Sequence, residues 1–319
     1  MDKVLMVGGF FDSVERDLSR HFEVTAVGST DEAKAMDDAT LGQFAGMASF
    51  GWGPADFLDR MAGLKLLSSF GVGYDGIDAK HAAGKGITVT HTPDVLNDDV
   101  ANLAIALTLM TQRRLAQQDA YVRQGRWAKE GNYPLQTSIR GKMVGMVGLG
   151  RIGKAIADKL SVFGCDVAYH GRRKQDDVDL AYFGDLTEMA KAADVLIVIT
   201  PGGAATHHLI DAQVMEALGP KGCLVNVARG SVVDQEALVA ALADGRLGSA
   251  GLDVFDDEPN VPEALYAMDN VTLTPHTASA TWETRQAMAD LVVENLVEGL
   301  INGRVKTPVP ECADLPLAG

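Results

Sequence analysis

The chain has 319 residues, of which 47% are apolar and 22% charged, the composition of an ordinary globular protein long enough for two separately cored domains. Its formal net charge of −15 argues against nucleic acid or an anionic membrane surface as a partner, while leaving room for a small anion held by local arginines. Three scattered cysteines, Cys165, Cys223 and Cys312, offer neither a disulfide framework nor metal-ligand spacing, so no metal is expected and a reducing compartment, by default the cytoplasm, is.

The chain opens almost at once on a strand, with no leader segment expected before it. Residues 1–95 alternate short apolar strands, at 4–7, 23–27, 47–50, 65–69 and 87–90, with helical segments, which predicts a small parallel α/β unit. Gly8-Gly9, Gly51-Trp52-Gly53 and Gly71-Val72-Gly73 follow three of these strands, at the edge where open parallel sheets bind ligands. Residues 98–120 read as one long helix, with Asp98 and Asp99 in its first turn and Arg113 and Arg114 near its end, as the helix dipole favours. Its broad apolar face predicts burial at a junction between two domains. It contains the longest apolar run, 103–110, which is too short to span a bilayer.

A second α/β unit is expected from about 142 to 276. Strands at 143–147, 166–169, 195–200, 223–227, 251–255 and 271–274, with helices near 211–218 and 234–243, give a six-stranded doubly wound pattern. A last amphipathic helix runs over 282–299. The tail, 306–319, with three prolines, is expected to be extended and to contribute no chemistry.

The second unit opens on Gly148, Gly150 and Gly153 in the order G-x-G-x-x-G, between a strand and a helix. The first glycine permits a tight turn, the second lets backbone approach a pyrophosphate, and the third lets helix pack on strand. Phosphates then lie on unpaired N–H groups at the helix start. Three later strand ends carry reactive side chains: Asn226-Val227-Ala228-Arg229-Gly230, then Gly251-Leu252-Asp253-Val254-Phe255 followed by Asp256-Asp257-Glu258-Pro259, and Thr274-Pro275-His276-Thr277-Ala278. Together they bring an arginine, a carboxylate and an imidazole to successive carboxyl ends of one sheet.

With these runs in this order, the chain resembles the D-isomer-specific 2-hydroxyacid dehydrogenases, from the first strand to about residue 305. Gly71-Val72-Gly73-Tyr74-Asp75 and Thr92-Pro93-Asp94-Val95-Leu96 make it most similar to the glyoxylate/hydroxypyruvate and hydroxyphenylpyruvate reductases within that family. The resemblance implies an α/β fold of two domains, a Rossmann-type doubly wound parallel sheet in residues 98–281 and a smaller flavodoxin-like substrate domain in residues 1–97 completed by 282–319. It also implies roles. His276 would protonate the carbonyl oxygen, Glu258 would orient the imidazole and favour its charged form, and Arg229 would clamp carboxylate and carbonyl with a planar fork that lysine lacks. Backbone N–H groups of Val72 and Gly73 would hold the carboxylate, and Asp253 would contact the nicotinamide side. Leu149, Arg151, Ile152, Thr200, Pro201, Val227, Ala228, Arg229 and His276 would join the glycines around the dinucleotide. A homodimer through residues 98–138 is implied as well. For the tryptophans two readings stand side by side: Trp52 as a wall of the substrate pocket and Trp127 and Trp282 as reaching the active site or a subunit contact, or simple packing for each.

One departure bears on the cofactor. NAD-binding Rossmann units carry an acid about twenty residues after the glycines, at the end of the second strand. Here that end reads Tyr169-His170-Gly171-Arg172-Arg173-Lys174, with no acid and three cations, so a ribose 2′-phosphate and hence NADPH is expected, with NADH weaker. The expected activity is NADPH-dependent reduction of glyoxylate and hydroxypyruvate. The alternatives are an NAD-linked D-lactate or phosphoglycerate type of dehydrogenase, against which the basic turn argues, and a dinucleotide-sensing corepressor without turnover, against which the full arginine, glutamate and histidine set argues.

Overall fold

In the computed structural model, which describes residues 1–315, the chain divides into one unit of Met1–Leu96 with the chain from Ala280 onward, and another of Asn97–Ser279. The first unit holds β1 (Lys3–Val7), β2 (Glu23–Val27), β3 (Phe44–Ser49), β4 (Trp52–Gly53), β5 (Leu66–Ser69), β6 (Gly76–Ile77) and β7 (Thr88–Thr90). Its main sheet is parallel in the order β2-β1-β3-β5-β7, with β4 and β6 forming a separate short pair. Without that pair the order is the flavodoxin-like 2-1-3-4-5. Residues Val4 to Val7 are all buried, because helices cover both faces of a parallel sheet and its central strands alternate nothing. The helix Trp282–Asn302 packs so closely on β3 that a Cβ on Gly46 would lie 2.8 Å from Leu300 and 3.1 Å from Leu296.

The tail does more than the sequence suggests. Thr90 bridges Pro308 in antiparallel fashion, the Val309 N–H donates to the Val89 carbonyl at 2.9 Å, and Cys312 is buried in a short 3-10 turn, Pro310–Cys312. It therefore closes the edge of β7 as part of the first unit's core. The end of the expected extended tail, 316–319, lies outside the described residues.

The second unit holds β8 (Met143–Val147), β9 (Asp166–His170), β10 (Ala181–Phe183), β11 (Val195–Val198), β12 (Cys223–Asn226), β13 (Ser249–Leu252) and β14 (Val271–Leu273). They form a parallel sheet in the order β10-β9-β8-β11-β12-β13-β14. The strand order reverses between β8 and β11, the topological switch point of a Rossmann sheet. The six-stranded expectation lacks β10, a three-residue edge strand whose short apolar stretch, Leu180 to Phe183, is below the usual length of a strand.

The long helix is also corrected. It runs Asn97–Arg113, breaks at Arg114, whose φ of 48° is left-handed, and resumes as Leu115–Arg123. Val100, Ala101, Ala104, Leu107, Thr108 and Thr111 form its buried face. A Cβ on Gly251 would meet Leu107 Cβ at 3.3 Å, so that face lies directly on β13. Among the described residues no helix is long and apolar enough to cross a membrane, and no cluster of potential metal ligands occurs.

Candidate active site

The turn after β8 gives each glycine its own reason. Gly148 has φ +100°, and a Cβ there would sit 2.7 Å from the Ile199 carbonyl oxygen. A Cβ on Gly153 would lie 2.6 Å from the Gly148 oxygen, so helix and strand close only without one. Gly150 faces open space, with nothing within 4 Å of a built Cβ. It is also the N-cap of the helix Arg151–Val162, and no side chain caps that end. Unpaired helical N–H groups beside an open glycine suit a pyrophosphate. Beside them the Thr200 hydroxyl is buried without a hydrogen-bond partner, a group that a ligand could satisfy.

The basic turn follows β9. Arg172, Arg173 and Lys174 are exposed, and none pairs with an acid among the described residues. Neighbours fix the turn's backbone: Tyr182 donates its hydroxyl to the Gly171 carbonyl at 3.2 Å, and the Gln175 N–H donates to the Tyr169 hydroxyl at 2.7 Å. Gln175 also donates to the Leu149 carbonyl at 2.8 Å, tying this turn to the glycine turn. Cations thus stand on an anchored backbone with no carboxylate to neutralise them.

Arg229, Glu258 and His276 come together beyond β12, β13 and β14. The Glu258 carboxylate bonds His276 Nδ1 at 2.7 Å and accepts the Phe255 N–H at 3.0 Å with its other oxygen. Burial pushes this carboxyl upward, but the bonds from His276 and Phe255 and the positive charges of His276 and Arg229 outweigh it and hold it below its ordinary value. Arg229 leaves β12 on a turn pressed against the end of β13, where a Cβ on Gly230 would lie 1.9 Å from the Phe255 carbonyl carbon. Only glycine allows that approach. Asn226, itself buried, accepts the Ala228 N–H at 3.0 Å and donates to the Arg229 carbonyl at 2.9 Å, fixing the arginine's backbone. The side chains of Val227 and Ala228 are buried, which leaves backbone for any ligand contact; Pro201 is exposed and its carbonyl accepts the Thr206 hydroxyl.

Asp253 is bonded into the turn that carries His276. It is fully buried, and both carboxylate oxygens are engaged inside the protein. One accepts the Thr274 hydroxyl at 2.7 Å and the Thr277 N–H at 2.8 Å, the other the Ala278 N–H at 3.0 Å. Its own carbonyl accepts the His276 N–H at 2.8 Å. His276 stands at φ 51°, unusual for a side-chain-bearing residue, and these bonds on either side hold it there. Asp253 is the clamp of the histidine turn. Sequence reasoning also passed over Asn226, Thr274 and Thr277 as holders, though each stands inside a run it singled out.

In the first unit, Val72 and Gly73 lie in the turn after β5, and neither N–H has an acceptor among the described residues. Trp52 packs its ring on core residue Phe57 at 4.5 Å with Lys34 over it. The aromatic surface at this sheet edge is made by Phe10, Phe50 and Phe70, one just after each of β1, β3 and β5, with ring centroids 4.6 to 5.7 Å apart. Phe50 and Phe70 follow directly on their strands and Phe10 follows β1 after two glycines, a signal the sequence did carry. Trp282 is exposed and stacks on Phe11, and Trp127 is exposed.

Residues 105–278 match the family described as D-isomer specific 2-hydroxyacid dehydrogenase, NAD binding domain. The chain is 43% identical to glyoxylate/hydroxypyruvate reductase A of Arabidopsis thaliana, over 96% of this chain and 98% of that protein. It is 48% identical to hydroxyphenylpyruvate reductase of Plectranthus scutellarioides, over 80% of this chain and 81% of that one. Among solved structures it is similar to the NADPH-dependent glyoxylate/hydroxypyruvate reductase of Sinorhizobium meliloti in complex with NADP and malonate, with 46% identity, TM-score 0.94, and coverage of 100% of this chain and 98% of that one. The chain belongs to the D-isomer-specific 2-hydroxyacid dehydrogenase family.

Proposed function

We propose that this protein reduces small 2-keto acids, glyoxylate and hydroxypyruvate foremost, to 2-hydroxy acids with NADPH. The observation that carries this is the Arg229, Glu258 and His276 arrangement at successive strand ends of the same sheet as the glycine turn. NADPH, when bound, supplies the hydride that reaches the carbonyl carbon. The protein must supply the proton and hold the substrate. With Nδ1 committed to Glu258, protonated His276 presents Nε2–H to the carbonyl oxygen, which takes that proton as the carbon–oxygen double bond becomes a single bond. Glu258 stays ionised opposite the imidazolium and stabilises it, releasing it to neutral imidazole only as the alkoxide is quenched. Arg229 binds the carboxylate and polarises the carbonyl, and the N–H groups of Val72 and Gly73 are assigned to the carboxylate. Asp253 acts by positioning His276.

The residues assigned to the dinucleotide are the glycine turn 148–153 with Leu149, Arg151 and Ile152, then Gly171, Arg172 and Arg173 for the 2′-phosphate, and Thr200 and Pro201 with the backbone of Val227 and Ala228. Four large apolar side chains, Leu115, Val122, Trp127 and Leu135, are exposed within 98–138, which supports a homodimer through that region, testable by light scattering with Trp127→Asp as the dissociating variant. Free Cys165, Cys223 and Cys312 support a cytoplasmic setting. The test of function is loss of NADPH absorbance on adding glyoxylate, hydroxypyruvate or 4-hydroxyphenylpyruvate. Turnover of the first two, with D-glycerate from hydroxypyruvate, is expected. A protein that binds NADPH but oxidises it with none of the three contradicts the reading and favours a dinucleotide sensor.

A further inference from the structure

His91 lies outside every run that the chemistry uses, yet its ring is tied to the turn after β5. Nδ1 donates to the Val72 carbonyl at 3.0 Å. The Val72 carbonyl and the Gly73 N–H belong to one planar peptide, so a bond accepted at the oxygen orients that N–H and strengthens its dipole. The rest of the turn is held as tightly. Gly71 exchanges two bonds with Thr92, its N–H donating to the hydroxyl at 3.0 Å and its carbonyl accepting the Thr92 N–H at 2.9 Å. Tyr74 meets the His91 ring edge-on at 5.6 Å and donates its hydroxyl to Glu311 at 3.1 Å. Burial first, and then the charge of Glu311, push the Tyr74 hydroxyl up to about 12, so it remains a donor at any working pH.

His91 is itself held by the tail. Its N–H donates to the Thr307 carbonyl at 3.1 Å, and its carbonyl accepts the Thr307 hydroxyl at 2.6 Å. Glu311 sits in the 3-10 turn that the buried Cys312 anchors, the Cys312 thiol accepting the Val89 N–H at 3.3 Å. The turn is thus braced from one side by His91 and from the other by the tail.

We infer that His91 is a positioning residue for substrate binding: it fixes and polarises the Val72–Gly73 peptide so that the Gly73 N–H meets the carboxylate of a 2-keto acid, with the Tyr74–Glu311 bond as the second tie. This rests on the reading above that Val72 and Gly73 receive the carboxylate. A mere packing role for His91 would cost stability; the inferred role costs affinity for carboxylates.

The test compares His91→Phe, which keeps a ring and loses the donor, with His91→Asn, whose amide nitrogen can take the place of Nδ1. Oxalate is the probe, as an inert small carboxylate, measured as an inhibition constant against hydroxypyruvate and as a thermal shift of the NADPH-bound protein. His91→Phe is expected to weaken oxalate and raise KM for hydroxypyruvate roughly tenfold, the worth of one hydrogen bond, with KM for NADPH and the melting temperature of the free protein unchanged. His91→Asn should return both values toward wild type. A phenylalanine variant with wild-type oxalate inhibition overturns the inference, as does one in which kcat, KM for NADPH and melting temperature all move together. Should His91→Phe fail to fold, Tyr74→Phe serves in its place: a smaller loss of oxalate affinity is expected, and none overturns the inference. Failure of the underlying reading shows differently, because the wild-type protein itself would then not bind oxalate and the inference falls with it.

Discussion

Two turns on one sheet edge are built in opposite ways. The turn after β14, carrying His276, is saturated from within: Asp253 takes bonds from Thr274, Thr277 and Ala278, and Glu258 fixes the imidazole. The turn after β9, carrying Arg172 and Arg173, has an anchored backbone but charged side chains that bond no acid among the described residues. Proton transfer needs its donor placed before the substrate arrives, since misplacement lowers the rate directly. Selectivity between cofactors needs only a difference in binding free energy, which solvated arginines provide on contact. The first turn's geometry is therefore written into the stability of the protein, and the second's is not.

The largest effect should come from the proposed proton donor of the first turn. His276→Gln is predicted to lower kcat by roughly 10²–10⁴ with NADPH affinity nearly unchanged, as followed by single-turnover kinetics and fluorescence titration. A variant retaining most of its kcat would remove His276 from proton transfer. Next is its clamp. Asp253→Asn replaces one acceptor oxygen by an NH₂ group facing an N–H, so about 1.5–3 kcal/mol of charge-assisted bonding is lost. Melting temperature and kcat should fall together; an intact melting temperature would show that the clamp is idle.

The second turn should behave in the contrary manner. Arg172→Ala with Arg173→Ala should leave kcat and melting temperature alone and raise KM for NADPH by up to about 10²-fold, the screened worth of two charged hydrogen bonds. Loss of stability in that double variant would break the comparison. The smallest effect concerns Glu258. A carboxyl held below its ordinary value adds stability that is complete above its unfolded pKa, about 4.3, and is lost as pH falls through the lower folded value. The melting-temperature gap between wild type and Glu258→Gln should therefore be steady at neutral pH and shrink only in acid. A gap that widens in acid would contradict the sign.

Much of this was legible because parallel strands buried on both faces leave long apolar runs, and whatever follows such a run stands at the sheet's carboxyl edge. Arg229, Glu258 and His276 are found that way, as are Gly148, Gly150 and Gly153. Asp253 was legible as a residue of this edge, but its bonds to Thr274, Thr277 and Ala278, 21–25 positions further on, were not. Arg114 breaks the long helix through a left-handed conformation for which arginine carries no sequence mark. Edge strand β10 has three residues, Ala181 to Phe183, too few for a periodic pattern to register. The tail's part in bracing His91 rests on bonds spanning over 200 residues, which local periodicity cannot register.

The most direct measurement is the ratio of kcat/KM for NADPH to that for NADH, with hydroxypyruvate saturating, in the wild-type enzyme. The assignment of Arg172 and Arg173, which pair with no carboxylate among the described residues, to the 2′-phosphate predicts a preference for NADPH of about 10²-fold or more. A ratio near unity would mean that the turn after β9 is merely solvated, and the division of labour between the two turns would fail.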